Sequence, residues 1–259
     1  MVGVDTTMRK TESTTTNVAR PPIASPSEWR AARMDLLAAE KEVTRARDAL
    51  AARRRRLPMV RIGKDYRFEG PDGVVGLADL FAGHTQLYVH HFMWLDEPDT
   101  GCPSCTRAAD RQFNEAHFGA LRERNVAFAA IARAPWPSIR SYRDRRGWTF
   151  PFFSSHGSDF NYDFHVTLDE SRAPVEYNYR TKDELIASGI PAEHLHGDWP
   201  GASVFLRDGD TVHHTYSAYA RGLDGLATAY QFLDLTVYGR QEAWEDSPDG
   251  WPQDVTSGP

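Results

Sequence analysis

The chain contains two cysteines, and they stand three residues apart as Cys102-Pro103-Ser104-Cys105. Upstream, Gln86 to Met93 (QLYVHHFM) is rich in β-formers and reads as a core strand. Downstream, the residues from about Ser104 to Arg124 read as one helix with Ala108, Phe113, His117, Ala120 and Leu121 on a broad face. A cysteine at such a junction occupies the helix N-cap, where unpaired backbone N–H groups and the positive end of the dipole favour thiolate over thiol. Pro103 suits the first helical turn, because its missing N–H would have no helical partner. Cys105 then lies one turn in, near enough to attack a mixed disulfide on Cys102. The pair therefore predicts Cys102 as nucleophile and Cys105 as resolving thiol. Asp96, Glu97 and Asp99 crowd the loop before it, and their charge is expected to raise the Cys102 pKa against the dipole.

Other uses of the pair are limited. Two cysteines are too few for the multi-bridge framework of a small secreted scaffold. Thr106, where a haem-attachment motif has histidine, excludes that chemistry. A zinc or copper site would need Cys102 and Cys105 with His90, His91, His156 or His165, and no second compact ligand pair accompanies them. His117 lies too far along the helix to reach its start. A metal is not expected, and neither is any cofactor beyond the two thiols. Trp94 is placed to wall the thiol, Ser104 and Thr106 shape the first turn, and His90, His91, Tyr162 and His165 are the candidate pocket residues.

Around this motif the chain divides by texture. Residues 1–26 are rich in Thr, Ser and Pro and read as a disordered leader. Ser27 is the expected N-cap of a helix over 27–57, ending before Pro58. In it Trp29, Leu36, Val43 and Leu50 recur every seven residues, with Ala32, Ala39 and Ala46 three places after the first three. This narrow stripe is open to docking on the body of the same chain or on a second subunit, as a homodimer. Residues 58–239 read as a single domain, and 240–259 as a polar tail.

Within the domain, Tyr66 to Glu69, the turn at 70–73 and Val74-Val75 read as a hairpin, and Leu77 to Phe81 as a helical turn. Val126 to Ala132 is an apolar strand, a helix runs from Pro137 to about Arg146, and Phe150 to Ser154 is a further strand. Ser203 to Leu206 and Thr211 to Ser217 form an antiparallel hairpin, with a closing helix over 223–233. Strand-helix-strand order followed by a hairpin and helix predicts an α/β, thioredoxin-like three-layer sandwich. To it are added the long N-terminal helix and an insertion, about 167–200, before the C-terminal hairpin.

Composition closes off several function classes. With 41% hydrophobic and 25% charged residues in 259, the chain can bury a sizeable core. Its net charge of -6 is uneven: residues 1–57 carry 12 Lys+Arg against 7 Asp+Glu, and the remainder 18 against 29. Four of the N-terminal cations, Arg53 to Arg56, end a helix-like stretch where they complement the dipole, so nucleic-acid binding is not expected. No apolar run is long enough for a membrane span, and a cytoplasmic location is expected.

Four separated segments carry a resemblance: Arg55 to Gly63 (RRLPMVRIG), Tyr88 to Trp94 with GCPSCT, Asp159 to Val166 (DFNYDFHV) and Val212 to Gly222 (VHHTYSAYARG). Over about residues 28–240 the chain resembles an uncharacterised bacterial thioredoxin-like family, domain of unknown function 899. Trp148 to Ser155 (WTFPFFSS) and Leu77 to Phe81 also look like parts of peroxiredoxins. The peroxiredoxin pattern has threonine or serine three residues before its reactive cysteine, where this chain has Asp99. The resemblance implies a thioredoxin-like fold of the peroxiredoxin branch, and it makes Pro200 the candidate for the proline that in thioredoxins faces the CxxC. The expected activity is thiol-disulfide exchange with a small-molecule or protein disulfide. The alternatives are a non-catalytic binding protein of the same fold and a Cys/His metal-binding protein.

Overall fold

The computed structural model describes residues 19–96, 99–226, 234–238, 241, 243, 245–251 and 253. Helix α1 (Pro26–Arg54) is capped two residues earlier than the sequence pattern suggests, by Ser25 rather than Ser27. Glu28 at N3 decides this: its carboxylate accepts from the Ser25 N–H at 2.9 Å, and its own N–H donates to Ser25 Oγ at 3.3 Å. The helix stops at Arg54, so 55–57 form a turn rather than a last helical turn. None of its residues is buried. Of the expected leader, residues 1–18 lie outside the described residues. Ala19 meets the tail, donating to the Gly250 carbonyl at 3.1 Å.

The body then follows as β1 (Val60–Arg61), the hairpin β2 (Arg67–Gly70) and β3 (Gly73–Gly76), a 3-10 turn (Asp79–Phe81) and β4 (Gln86–His91). Next come the short pair β5 (Trp94–Leu95) and β6 (Thr100–Gly101), α2 (Pro103–Gln112), α3 (Glu115–Arg122), β7 (Val126–Ala132), α4 (Trp136–Arg146) and β8 (Phe152–Ser154). The connecting region holds α5 (Phe160–Asp163), β9 (Thr167–Leu168), β10 (Glu176–Tyr177), β11 (Arg180–Thr181), α6 (Lys182–Ala187) and β12 (Gly197–Asp198). The long hairpin β13 (Gly201–Asp208) and β14 (Thr211–Tyr219) leads into a 3-10 segment (Ala220–Leu226). Of the helix expected over 223–233, residues 227–233 lie outside the described residues.

Eight strands form one sheet in the order β1-β14-β13-β4-β7-β8-β2-β3. β4, β7 and β8 are parallel and joined through helices, while β13 and β14 add antiparallel on the β4 side. This is the thioredoxin-like arrangement, widened by the β2–β3 hairpin at one edge and β1 at the other. Helices α2, α3 and α4 cover one face, burying Cys105, Ala109, Phe118 and Ile139 against Phe92, Ala130 and Phe152. The other face packs Leu87, Val89, Ile131 and Phe205 against Phe160, Phe164, Tyr177 and Leu185 of the connecting region, which gives three layers.

The single helix expected over 104–124 is broken into α2 and α3. Phe113 leaves helical geometry at φ −88°, ψ 82°, and its ring packs edge-on against His90, Phe128 and Phe150. Asn114 restarts the helix by accepting from the His117 N–H at 3.2 Å. A core socket for one aromatic and a good N-cap residue together outweigh the continuous apolar period. No helix among the described residues is long and apolar enough to cross a membrane.

Candidate active site

β4 is one of the two central strands of the sheet, and the chain leaves it through Phe92 and Met93 into the β5–β6 pair. Cys102 N–H donates to the Met93 carbonyl at 3.1 Å, which ties the loop back beneath its own start. Gly101 is required there: a Cβ would stand 2.8 Å from Phe92 and 3.0 Å from Tyr142. Cys102 is then the N-cap of α2 (φ −55°, ψ 133°) with Pro103 in the first turn, and its carbonyl takes the first helical bond from Thr106 N–H at 2.9 Å. No side chain caps this end of α2.

The two sulfurs have opposite surroundings. Cys102 is partly exposed and Cys105 buried, and both are free thiols. The Cys105 S–H donates to the Cys102 sulfur, the Ser104 hydroxyl lies 3.1 Å from it, and the Cys105 and Ser104 backbone N–H groups point at it. These donors hold the Cys102 pKa down to about 5 against the opposing effect of burial. Cys105 is pushed well above its ordinary value, first by holding its proton toward Cys102, then by burial, and further by the charges of Cys102 and Asp198.

The expected acidic repulsion does not reach Cys102. Asp96 is drawn to Arg133 Nη2 at 3.2 Å, and Asp99 accepts from Trp94 Nε1 and Ser138 Oγ, each at 2.7 Å. Fixed donors have turned both carboxylates away; Glu97 lies outside the described residues. Trp94 is buried as a wall, edge-on to Tyr142 at 5.4 Å, and its backbone N–H donates to Asp198 Oδ2 at 3.3 Å. Thr106 Oγ1 donates to the Cys102 carbonyl at 2.9 Å, so its 2.8 Å bond with Tyr142 has the phenol as donor. Pro200 immediately precedes β13, whose Gly201 pairs with His91, and its carbonyl accepts from Tyr177 OH at 2.7 Å.

Asp198 is the largest omission from the sequence reading. It is buried, and Oδ1 accepts from Arg133 Nε at 3.0 Å and Thr167 Oγ1 at 2.6 Å. Burial raises its pKa, with Arg133 acting against that. Tyr142 was equally hidden, being 36 residues past Thr106 on another helix. Only Gly101 had a local signal, its position directly before the motif.

The four candidate pocket residues do not share a pocket. Adjacent strand residues point to opposite faces. His90 therefore packs against Phe113 under the helices, and His91 against Phe160 on the other face. Both are buried, and burial lowers their pKa values to about 4 and about 3. His91 Nε2 lies 2.8 Å from Ser203 Oγ, which continues through Ser217 to His214 at 2.8 Å per link. Tyr162 and His165 instead line a 430 Å³ cavity with Lys64, Asp159, Asp163 and Arg172. Among the described residues no three His, Cys, Asp or Glu side chains are grouped to hold a metal ion.

Residues 18–255 match the model of a family described as a bacterial protein of unknown function, DUF899. The chain belongs to that family. No curated protein matches it. Similar solved structures include peroxidoxin BcpB from Mycobacterium tuberculosis, with 11% identity, a TM-score of 0.43, and coverage of 68% of this DUF899 chain and 96% of that one. Another is peroxiredoxin Q of Xanthomonas campestris, at 12% identity and a TM-score of 0.43, covering 67% of this chain and 95% of that one. The architecture of this DUF899 protein rests on its own strand order and crossover helices.

Proposed function

We propose that this protein is a dithiol-disulfide oxidoreductase acting on a small-molecule or protein disulfide. The Cys102 thiolate attacks one substrate sulfur, forming a mixed disulfide and releasing the other sulfur as a thiolate. Cys105 then passes its proton to the thiolate released in the first step and attacks Cys102 Sγ, forming the Cys102–Cys105 disulfide and releasing the second substrate thiolate. Two electrons pass to the substrate, and the reverse sequence oxidises a dithiol. The carrying observation is the asymmetry of the pair: Cys102 accessible with its pKa held to about 5, Cys105 buried with its proton retained. Trp94, Tyr142 and Thr106 position the helix start, and Pro103 and Ser104 form its exposed rim.

The test is alkylation resolved by mass. Oxidised and reduced protein should differ reversibly by two hydrogens, Cys105→Ser should accumulate a mixed disulfide with a disulfide substrate, and Cys102→Ser should not. At pH 6 Cys102 should react about tenfold faster than a free cysteine, since its larger thiolate fraction outweighs its lower intrinsic nucleophilicity. The rate should fall with an apparent midpoint near pH 5. Reaction no faster than a free cysteine, with a midpoint near 8.5, would sink the proposal and leave a binding role for the fold.

A further inference from the structure

We propose that α1 pairs antiparallel with α1 of a second copy of this chain. A helix in water draws most of its stability from an apolar face packed on something else, and α1 buries none of its 29 residues. Its one regular apolar row is open: Trp29 is 64% exposed, Leu36 55%, Val43 50% and Leu50 44%. Beside that row runs a second, made of Ala32, Ala39 and Ala46.

The two rows specify both partner and direction. In a parallel pair each row meets itself, so large side chains oppose large ones in one layer and alanines oppose alanines in the next. No single separation of the helix axes satisfies both layers. Reversing one helix sets the large row against the partner's small row throughout. With the two-fold axis between residues 37 and 38, Leu36 lies beside the partner's Ala39, Val43 beside the partner's Ala32 and Trp29 beside the partner's Ala46. Leu50 falls past the overlap. On one flank Arg33 comes next to the partner's Glu40, the same side-chain pairing that closes at 2.9 Å within one chain. On the other flank Asp35 meets the partner's Glu42, so the charges offset and the size pattern decides. The C-terminal end of α1 leads into β1, the edge strand of the sheet. Antiparallel pairing puts the two points where α1 enters its sheet at opposite ends of helices about 43 Å long.

Sedimentation equilibrium of the full chain should give twice the monomer mass at micromolar concentration. Leu36→Glu and Val43→Glu, both at exposed positions, should each weaken association at least about tenfold while circular dichroism stays unchanged. Direction is read by disulfide capture in a Cys102→Ser, Cys105→Ser background. A mixture of Leu36→Cys chains with Ala39→Cys chains should cross-link, and Val43→Cys chains alone should not. A monomeric wild-type protein, or dimerisation untouched by both glutamates, overturns the pairing. Cross-linking of Val43→Cys alone overturns its direction. None of these readouts depends on the thiol chemistry of the site.

Discussion

Helices α1 and α2 both carry proline in the first turn, yet α1 buries none of its 29 residues whereas α2 buries Cys105, Thr106 and Ala109 within ten. Their N-termini differ as well. In α1 the first N–H groups are closed off by the reciprocal Ser25–Glu28 bonds, so the end is complete in itself. In α2 no side chain caps the end, and the N–H groups of Ser104 and Cys105 aim at the Cys102 sulfur. A capped terminus serves stability; an uncapped one, held in place by the body behind it, is free to stabilise an anion.

If α2 owes its position to the body and α1 does not, perturbing the body should be costly and perturbing α1 should not. The largest effect comes from acid, through His90 and His91 on the two faces of β4, the strand that leads to α2. Unfolded, each imidazole takes a proton near pH 6.5; folded, burial defers this to about 4 and about 3. Between those values the unfolded chain binds the extra protons. The contribution is therefore full above pH 6.5 and is lost as pH falls toward 4. From pH 7 to pH 5 the loss should be on the order of 4 kcal/mol in urea unfolding. The depressed pKa of Cys102 contributes with the same sign from about pH 9 down to about 5, so the measurement belongs in a Cys102→Ser background. A flat profile would mean the two imidazoles are not buried neutral.

Gly101→Ala is the next largest. Its methyl would press on Phe92 and Tyr142, and overpacking of this kind should lower stability by about 1–3 kcal/mol and slow Cys102 alkylation, measured by denaturation and by thiol kinetics. Leu36→Glu in α1 is the smallest. In protein dilute enough to be monomeric it should shift unfolding by no more than about 0.5 kcal/mol and leave the alkylation rate unchanged. A large shift there would mean α1 rests on its own body, and the contrast between the two helices would fall.

The elements that local pattern could announce are present close to where the sequence puts them. β4, β7, α4 and the β13–β14 hairpin follow from β-rich runs, helical spacing and the Asp208-to-Thr211 turn. The errors came where tertiary contacts compete with a local period. Phe113 fits a helical face, yet the socket between His90, Phe128 and Phe150 takes it out of the helix. At the site, Cys102, Cys105, Pro103 and Thr106 were legible because one turn of helix fixes their relations. Asp96 and Asp99 look threatening to a thiolate in one dimension, and are not so once Arg133, Trp94 and Ser138 hold them.

The residues alone determined the run of core strands, the long N-terminal helix and the placement of the thiol pair at a helix start. Each follows from interactions spanning a few positions. Only the tertiary structure decided that Tyr142 braces the first turn of α2 through Thr106, and that Asp198, 93 residues beyond Cys105 in the chain, bears electrostatically on its proton. It also decided which face each of the two strand neighbours takes, His90 under the helices and His91 under the connecting region. Such pairings join residues far apart in sequence through a sheet whose register is set by the burial of both faces at once, and no short window of sequence contains that condition.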